Sequence, residues 1–173
     1  MTNTPKTWHY GLVARWWAEF NQDGHEIAYF QKYVERGQPA LDVACGTGRL
    51  LIPFLRAELD VDGCDVSPDM IARCREKAER EGLSPTLFVQ PMHELDPPRT
   101  YRTIFVCGGF GLGSTRDQDV EALARFHENL EPGNSPARVE ARAVQEHRAS
   151  PSHGKLLREL RLQADIELLA LGL

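Results

Sequence analysis

Residues 40–51, ALDVACGTGRLL, constrain the fold more than any other stretch of the chain. An apolar run carrying one acid stops at two glycines a single residue apart, and an apolar helical pattern resumes behind them. Glycine takes positive φ without steric penalty, so the backbone can turn sharply there from a buried strand into a helix. A turn of this kind sets backbone N–H groups and the positive end of a helix in a crevice at the carboxyl edge of a parallel sheet, where open α/β folds bind ligands.

The flanking text agrees with that placement. Val13, Trp16, Trp17 and Phe20, then Ile27, Phe30 and Val34, recur at helical spacing and predict two short helices before the first strand. The spacing predicts Trp16 in the core. After ALDVAC the pattern alternates: GRLLIPFLRAE as a helix kinked at Pro53, DVDGCDV as a strand, and SPDMIARCREKAEREG as a helix. In that last helix Ser67 is the N-cap, Pro68 the first helical residue, Ile71, Cys74 and Ala78 one face, and Gly82 the stop. TLFVQ and YRTIFVCGG read as further strands. Thr115 and Gln118 form a capping box for a helix presenting Val120, Leu123, Ala124 and Leu130. Strands alternating with helices imply a doubly wound, mostly parallel α/β sheet with helices on both faces.

Composition narrows the partners. The formal net charge is −5, from 20 Lys and Arg against 25 Asp and Glu, so there is no basic footprint for nucleic acid or an anionic membrane. No apolar stretch approaches the roughly 20 residues that span a bilayer, and MTNTPKTWHY lacks the apolar core of a secretory signal, so a cytoplasmic address is expected. Cys45, Cys64, Cys74 and Cys107 lack the spacing of a zinc site or a disulfide frame; reduced thiols and no metal are expected. A small-molecule substrate is the expected partner.

Spacing separates the ligands that such a turn can hold. A phosphate loop needs GxxxxGK[ST], but TGRLLIP follows Gly46 without a lysine. A dinucleotide fold wants a third glycine where this chain has Leu51, which disfavours pyrophosphate and leaves an NAD-dependent oxidoreductase as the alternative enzyme. LDVACGTGRL followed by VDGCDVSPDM resembles the nucleotide-binding half of class I S-adenosylmethionine-dependent methyltransferases, over roughly residues 10–133. The resemblance implies a Rossmann-like fold, S-adenosyl-L-methionine as cofactor, and direct methyl transfer to an acceptor that the sequence does not name.

The ligand's chemistry distributes the candidate residues. Asp42 suits its ammonium, while Gly46 and Gly48, lacking Cβ, let the backbone lie against the methionyl part with N–H groups facing the carboxylate. Cys45 stands inside this turn as a packing residue. Asp65, closing the second strand, can accept from both ribose hydroxyls, and Val66 and Met70 offer apolar surface to the adenine. Many relatives carry an acid after the third strand; Pro91 stands there, which leaves the Met92 backbone N–H to reach the ring. Cys107, Gly108 and Phe110 are candidates for the floor beneath the sulfonium, and Tyr10 and Trp16 sit where family members often fold a helix over the cofactor, with core packing the favoured reading of Trp16. His9, Tyr10 and His93 are each conceivable bases, with none assigned a catalytic role.

The text changes after the helix that ends at LEPGN. No aromatic residue occurs among 127–173, and Ala, Arg, Leu and Glu dominate. Two regions are expected: a cofactor-binding core at 1–133, and a divergent tail at 134–173 with a strand in ARVEARAV and an amphipathic helix in GKLLRELRLQADIELLALGL, a segment capable of self-association. The forty residues after Gly133 are too few for the family's remaining strands, so the C-terminal part of the sheet is expected to be incomplete. A change of reading frame or of origin near Gly133 fits that break. A non-catalytic remnant of the fold, binding cofactor or a partner, is the second alternative.

Overall fold

The computed structural model describes residues 9–131 and the strand at 138–142. Helices α1 (Gly11–Phe20) and α2 (His25–Arg36) precede β1 (Ala40–Val43), α3 (Leu51–Arg56), β2 (Val61–Asp65), α4 (Pro68–Arg80), β3 (Leu87–Val89), a 3₁₀ turn at Met92–Glu94, β4 (Thr103–Cys107), α5 (Arg116–Glu128) and β5 (Arg138–Arg142). The strands run parallel in the order β3-β2-β1-β4-β5. Strand order reverses at β1, between β2 and β4, and the crevice of a doubly wound sheet opens there. β5 falls in the stretch after Gly133. The leucine-rich segment expected to be a helix lies outside the described residues. Among the described residues no helix is long and apolar enough to cross a membrane.

Period-two alternation sorts the strands onto two cores. Leu41, Val43, Ile104 and Val106 pack with Leu123 and Phe126 of α5 on one face. Ala40 and Phe105 pack on the other with Phe30, Val34, Leu51, Ile52 and Phe54. There Phe30 stacks on Phe105 at 5.2 Å and Phe54 meets it edge-on at 5.9 Å, geometries that add to plain area burial.

Local chemistry explains most boundaries. Ser67 Oγ accepts from the Met70 N–H at 3.2 Å with Pro68 behind it, and Thr115 with Gln118 closes a full capping box on α5. Three expectations need correction. Helix α3 begins at Leu51, so Pro53 lies in its first turn, where no intrahelical N–H is needed, and no kink is required. Helix α5 buries Ala122, Leu123 and Phe126, whereas Val120 and Ala124 face outward. Helix α1 buries Ala14, leaving Trp16 60% and Phe20 80% exposed. The cause is its tether: Ser67 Oγ donates to the His9 carbonyl and the Gly11 N–H donates to Asp69 Oδ2 at 2.6 Å, so α1 lies against the start of α4 on its small residue.

Candidate functional site

The turn after β1 puts Ala44, Gly46 and Gly48 at φ of 58°, 57° and 82°, three left-handed residues in five. Only glycine adopts this region freely, so the Ala44 backbone is strained by about 1–2 kcal/mol. The turn borders a cavity of about 450 Å³ at the carboxyl edge of β1, β2 and β4, within the range of roughly 300–1,000 Å³ typical of small-molecule sites. Asp42, Cys45, Gly46, Asp65, Met70, Cys107 and Gly108 all line it.

Gly48, Val66 and Met92 do not line it, and each has a physical reason. A Cβ on Gly48 would stand 2.7 Å from Cys74 Sγ and 2.9 Å from Ile52 Cγ1, so this glycine serves close packing of the turn on α3 and α4. The Val66 side chain is turned to solvent. Met92 packs against the α5-side core, as does Phe110. By contrast, the space where a Gly46 Cβ would sit is bounded only at 4.0 Å, by Trp17 Nε1. Tyr10 and His93 lie off the cavity, and His93 Nε2 contacts Gln118 Nε2 at 3.3 Å instead.

The two aspartates differ in what holds them. Asp65 Oδ2 accepts from the Gly46 N–H at 2.9 Å and Oδ1 from the Ser67 N–H at 2.8 Å. Burial raises its pKa, and those two N–H groups, with the charge of His9, work against the rise. Asp42, 2% exposed, has an Oδ2 without any hydrogen-bond partner. Burial pushes its carboxyl well above the ordinary range, Arg49 pulls it back, and Asp65 adds to the push. An orphaned buried carboxylate oxygen is costly in a closed fold. Asp42 is among the residues that line the cavity, which places this unsatisfied carboxyl beside the ligand space.

Sequence reading missed several walls. Trp17, rather than Trp16, comes over the turn; Asp23 approaches from the α1–α2 connection and Glu26 from the first turn of α2; Arg49 and Thr47 come from the turn itself. Arg49 Nη1 pairs with Glu26 Oε2 at 3.1 Å, and Nη2 donates to Cys107 Sγ at 3.3 Å. Burial pushes the Cys107 thiol up to about 11, and Cys45 is raised by its hydrogen bond to Cys74 and by burial, so neither is a thiolate nucleophile at neutral pH. Asp23, Glu26, Asp42 and Asp65 face a single arginine on this lining. Four acids against one arginine favour a cationic ligand over an anionic one.

A family model described as "Methyltransferase domain" matches residues 40–133. A phosphatidylethanolamine N-methyltransferase of Cereibacter sphaeroides is 42% identical over 93 residues, covering 52% of this chain and 45% of that protein. A dTDP-3-amino-3,4,6-trideoxy-alpha-D-glucopyranose N,N-dimethyltransferase of Streptomyces venezuelae is 32% identical over 94 residues, covering 54% and 38%. Among solved structures, the glycopeptide N-methyltransferase MtfA complexed with S-adenosyl-L-methionine superposes with a TM-score of 0.54 at 24% identity, over 66% of this chain and 53% of that one. At that identity the likeness speaks for the fold. The matches span less than half the length of the curated relatives.

Proposed function

Since the chain belongs to the methyltransferase-domain family of class I, Rossmann-like, S-adenosylmethionine-dependent enzymes, we propose that it binds S-adenosylmethionine in the carboxyl-edge cavity and methylates a small molecule. The observation that carries this reading is the lining charge, four acids and one arginine around an unpartnered Asp42 oxygen. That surface suits a ligand with an ammonium and a sulfonium. It repels the pyrophosphate of a nicotinamide dinucleotide, the other ligand that the glycine turn left open.

When bound, S-adenosylmethionine supplies a methyl group already activated on a cationic sulfur. The chain's residues then have to hold, orient and exclude water, a task that effective molarity rewards with about 7–11 kcal/mol in the best-oriented systems. Asp42 takes the ammonium. Asp65 keeps one lone pair on each oxygen beyond its backbone bonds and offers them to the ribose hydroxyls. Met70 gives an apolar wall to the adenine, and Gly46 leaves the room a side chain would fill. Trp17 covers the turn, and the small Gly108 and Gly109 leave an approach open for the acceptor.

Nitrogen is the acceptor atom we favour, because two of the curated relatives are named for methyl transfer to nitrogen. Calorimetric titration of the full chain with S-adenosylmethionine and with NAD tests the cofactor: saturable binding of the first and none of the second is expected. Release of S-adenosylhomocysteine across a panel of amines, phenols and carboxylic acids tests turnover. Binding without release over the whole panel would favour a non-catalytic remnant.

A further inference from the structure

Helix α1 carries an apolar surface that the fold does not bury. Of the nine large hydrophobic side chains exposed among the described residues, five stand on its ten residues: Leu12, Val13, Trp16, Trp17 and Phe20. At 3.6 residues per turn they fall within about 140° of arc, so they form one stripe along a helix about 15 Å long. Contiguous exposed apolar patches mark binding surfaces. Beside the stripe, Arg15 pairs with Glu19 at 3.3 Å, which leaves the helix electrically neutral.

The stripe runs into the cavity. Trp17 belongs to both, for it lines the cavity with Nε1 4.0 Å from the space of a Gly46 Cβ. Leu112, on the loop after β4, is a second exposed apolar side chain on that lining. Helix α1 begins at α4, where the Gly11 N–H donates to Asp69. It ends in a connection that packs on the Arg49–Glu26 pair: a Cβ on Gly24 would stand 2.5 Å from Arg49 Nη1. Arg49 Nη2 in turn reaches Cys107 at the end of β4. The Phe20 end of the stripe therefore lies toward β4, across β1 from Asp65 and Met70, the nucleoside wall of the function proposed above. That end of the cavity is left for the acceptor, and Asp23 on its wall makes no hydrogen bond or ion pair among the described residues.

We infer that the acceptor is an amphiphilic amine, its nitrogen inside the cavity and its alkyl or aryl body on Trp17, Phe20 and the rest of the α1 stripe. The inference rests on the proposed function and narrows its substrate class. The amine sheds a proton to solvent before it reacts. Its lone pair then takes the methyl group, the carbon–sulfur bond breaks toward sulfur, and the positive charge passes to nitrogen, a charge that the Asp23 carboxylate suits. The occupant is a single dispersed molecule and not a bilayer, because the helix has no excess of cations and the chain's net charge is −5.

Initial rates of S-adenosylhomocysteine release test it, with the full chain and butylamine, hexylamine, octylamine and decylamine below their micellar concentrations. Basicity is the same along the series, so only the body changes. KM falls about twofold or more per added methylene, as burial of hydrocarbon requires, with kcat nearly constant. Phe20→Gln, at a side chain 80% exposed, flattens that slope and leaves S-adenosylmethionine affinity unchanged. Val89→Thr, an exposed apolar position on β3, keeps the slope. Turnover independent of chain length in the wild type, or a slope that Phe20→Gln retains, overturns the inference and leaves the proposed function standing. A wild-type dimer that Phe20→Gln dissociates, read by light scattering, assigns the stripe to a second copy, and turnover only of decylamine held in phosphatidylcholine vesicles assigns it to a bilayer; either result overturns the inference. No release with any amine, 2-aminoethanol included, while the cofactor binds, overturns it together with the nitrogen acceptor. Absence of cofactor binding overturns the proposed function as well.

Discussion

Both edges of the sheet bury aspartates, and the two sets are treated in opposite ways. At the amino edge, Asp62 accepts from Arg99 Nε and from the Tyr101 hydroxyl, each at 2.8 Å, and Arg99 also reaches both oxygens of Asp60. At the carboxyl edge, Asp42 Oδ2 and Thr47 Oγ1 have no partner, and the nearby arginine is turned toward Glu26 and a thiol. Buried polar groups that satisfy one another rigidify a fold. Groups left open beside a cavity are a reservoir of binding energy. The fold is therefore closed where it only has to stand, and unsatisfied where a ligand completes it.

The sharpest break between the edges is Asp42→Asn. It removes the charge that the proposed ammonium needs, so S-adenosylmethionine affinity falls about a hundredfold, ~2.7 kcal/mol. Stability holds or rises, because a carboxyl held at raised pKa by burial is no longer present. The sign also appears against pH. A carboxyl whose pKa is raised in the fold contributes its stability in full below the ordinary carboxylate value and loses it as pH rises through the raised one. Ligand affinity runs the other way over that window, since binding the cation releases the proton. Calorimetry at several pH values shows that slope in the wild-type chain and its loss in Asp42→Asn; a slope retained by the variant would assign the titration to another group.

Arg99→Met makes the opposite prediction at the other edge. It leaves the Asp62 carboxylate buried with only the Tyr101 hydroxyl, costing about 2 kcal/mol, the lower end for such pairs because Arg99 is partly exposed. Chemical denaturation reads the loss, and cofactor affinity stays within twofold. An affinity loss comparable to that of Asp42→Asn would show that the two edges are coupled.

How much of this contrast is written in the sequence depends on range. The turn, the α4 cap and the α5 capping box are local, set by residues within three positions of one another, and ALDVACGTG, SPDM and STRDQ state them directly. Asp42 and Asp65 are legible as candidates because each stands at or next to the carboxyl end of a strand beside the turn. The Arg49–Glu26 pair joins residues 23 apart and the Arg49–Cys107 bond residues 58 apart, and no periodicity carries such information. Nor does spacing show that the glycine N–H groups are consumed within the protein. The exposed face of α1 differs from the periodic pattern for a related reason: helical periodicity finds the apolar stripe, but the tethers at Ser67 and Asp69 decide which stripe faces inward.

Asp65 stands between the two regimes and sharpens the comparison. Both its oxygens hold backbone N–H groups, yet it lines the cavity. Asp65→Asn keeps one acceptor and turns an amide donor toward the other N–H. The expected result is a double loss, about 1 kcal/mol in stability together with about tenfold in S-adenosylmethionine affinity, ~1.4 kcal/mol. Loss of stability alone would return this residue to a purely structural role, and loss of affinity alone would mean that Ser67 and Gly46 need no carboxylate.

The smallest effect is expected on α1, where adjacent tryptophans repeat the contrast within one turn of helix. Trp17 borders the cavity, whereas Trp16 is 60% exposed and outside it. A side chain that makes little buried contact has little to lose. Trp16→Gln therefore changes stability by less than about 0.5 kcal/mol and leaves cofactor affinity unchanged. Trp17→Gln removes the ring above Gly46 and lowers affinity a few-fold. Matched titrations and denaturation curves on the two variants decide the point. Equal effects at both positions would mean that α1 rotates in solution and presents either ring to the turn, and the open edge would then be shaped by a moving wall instead of a fixed one.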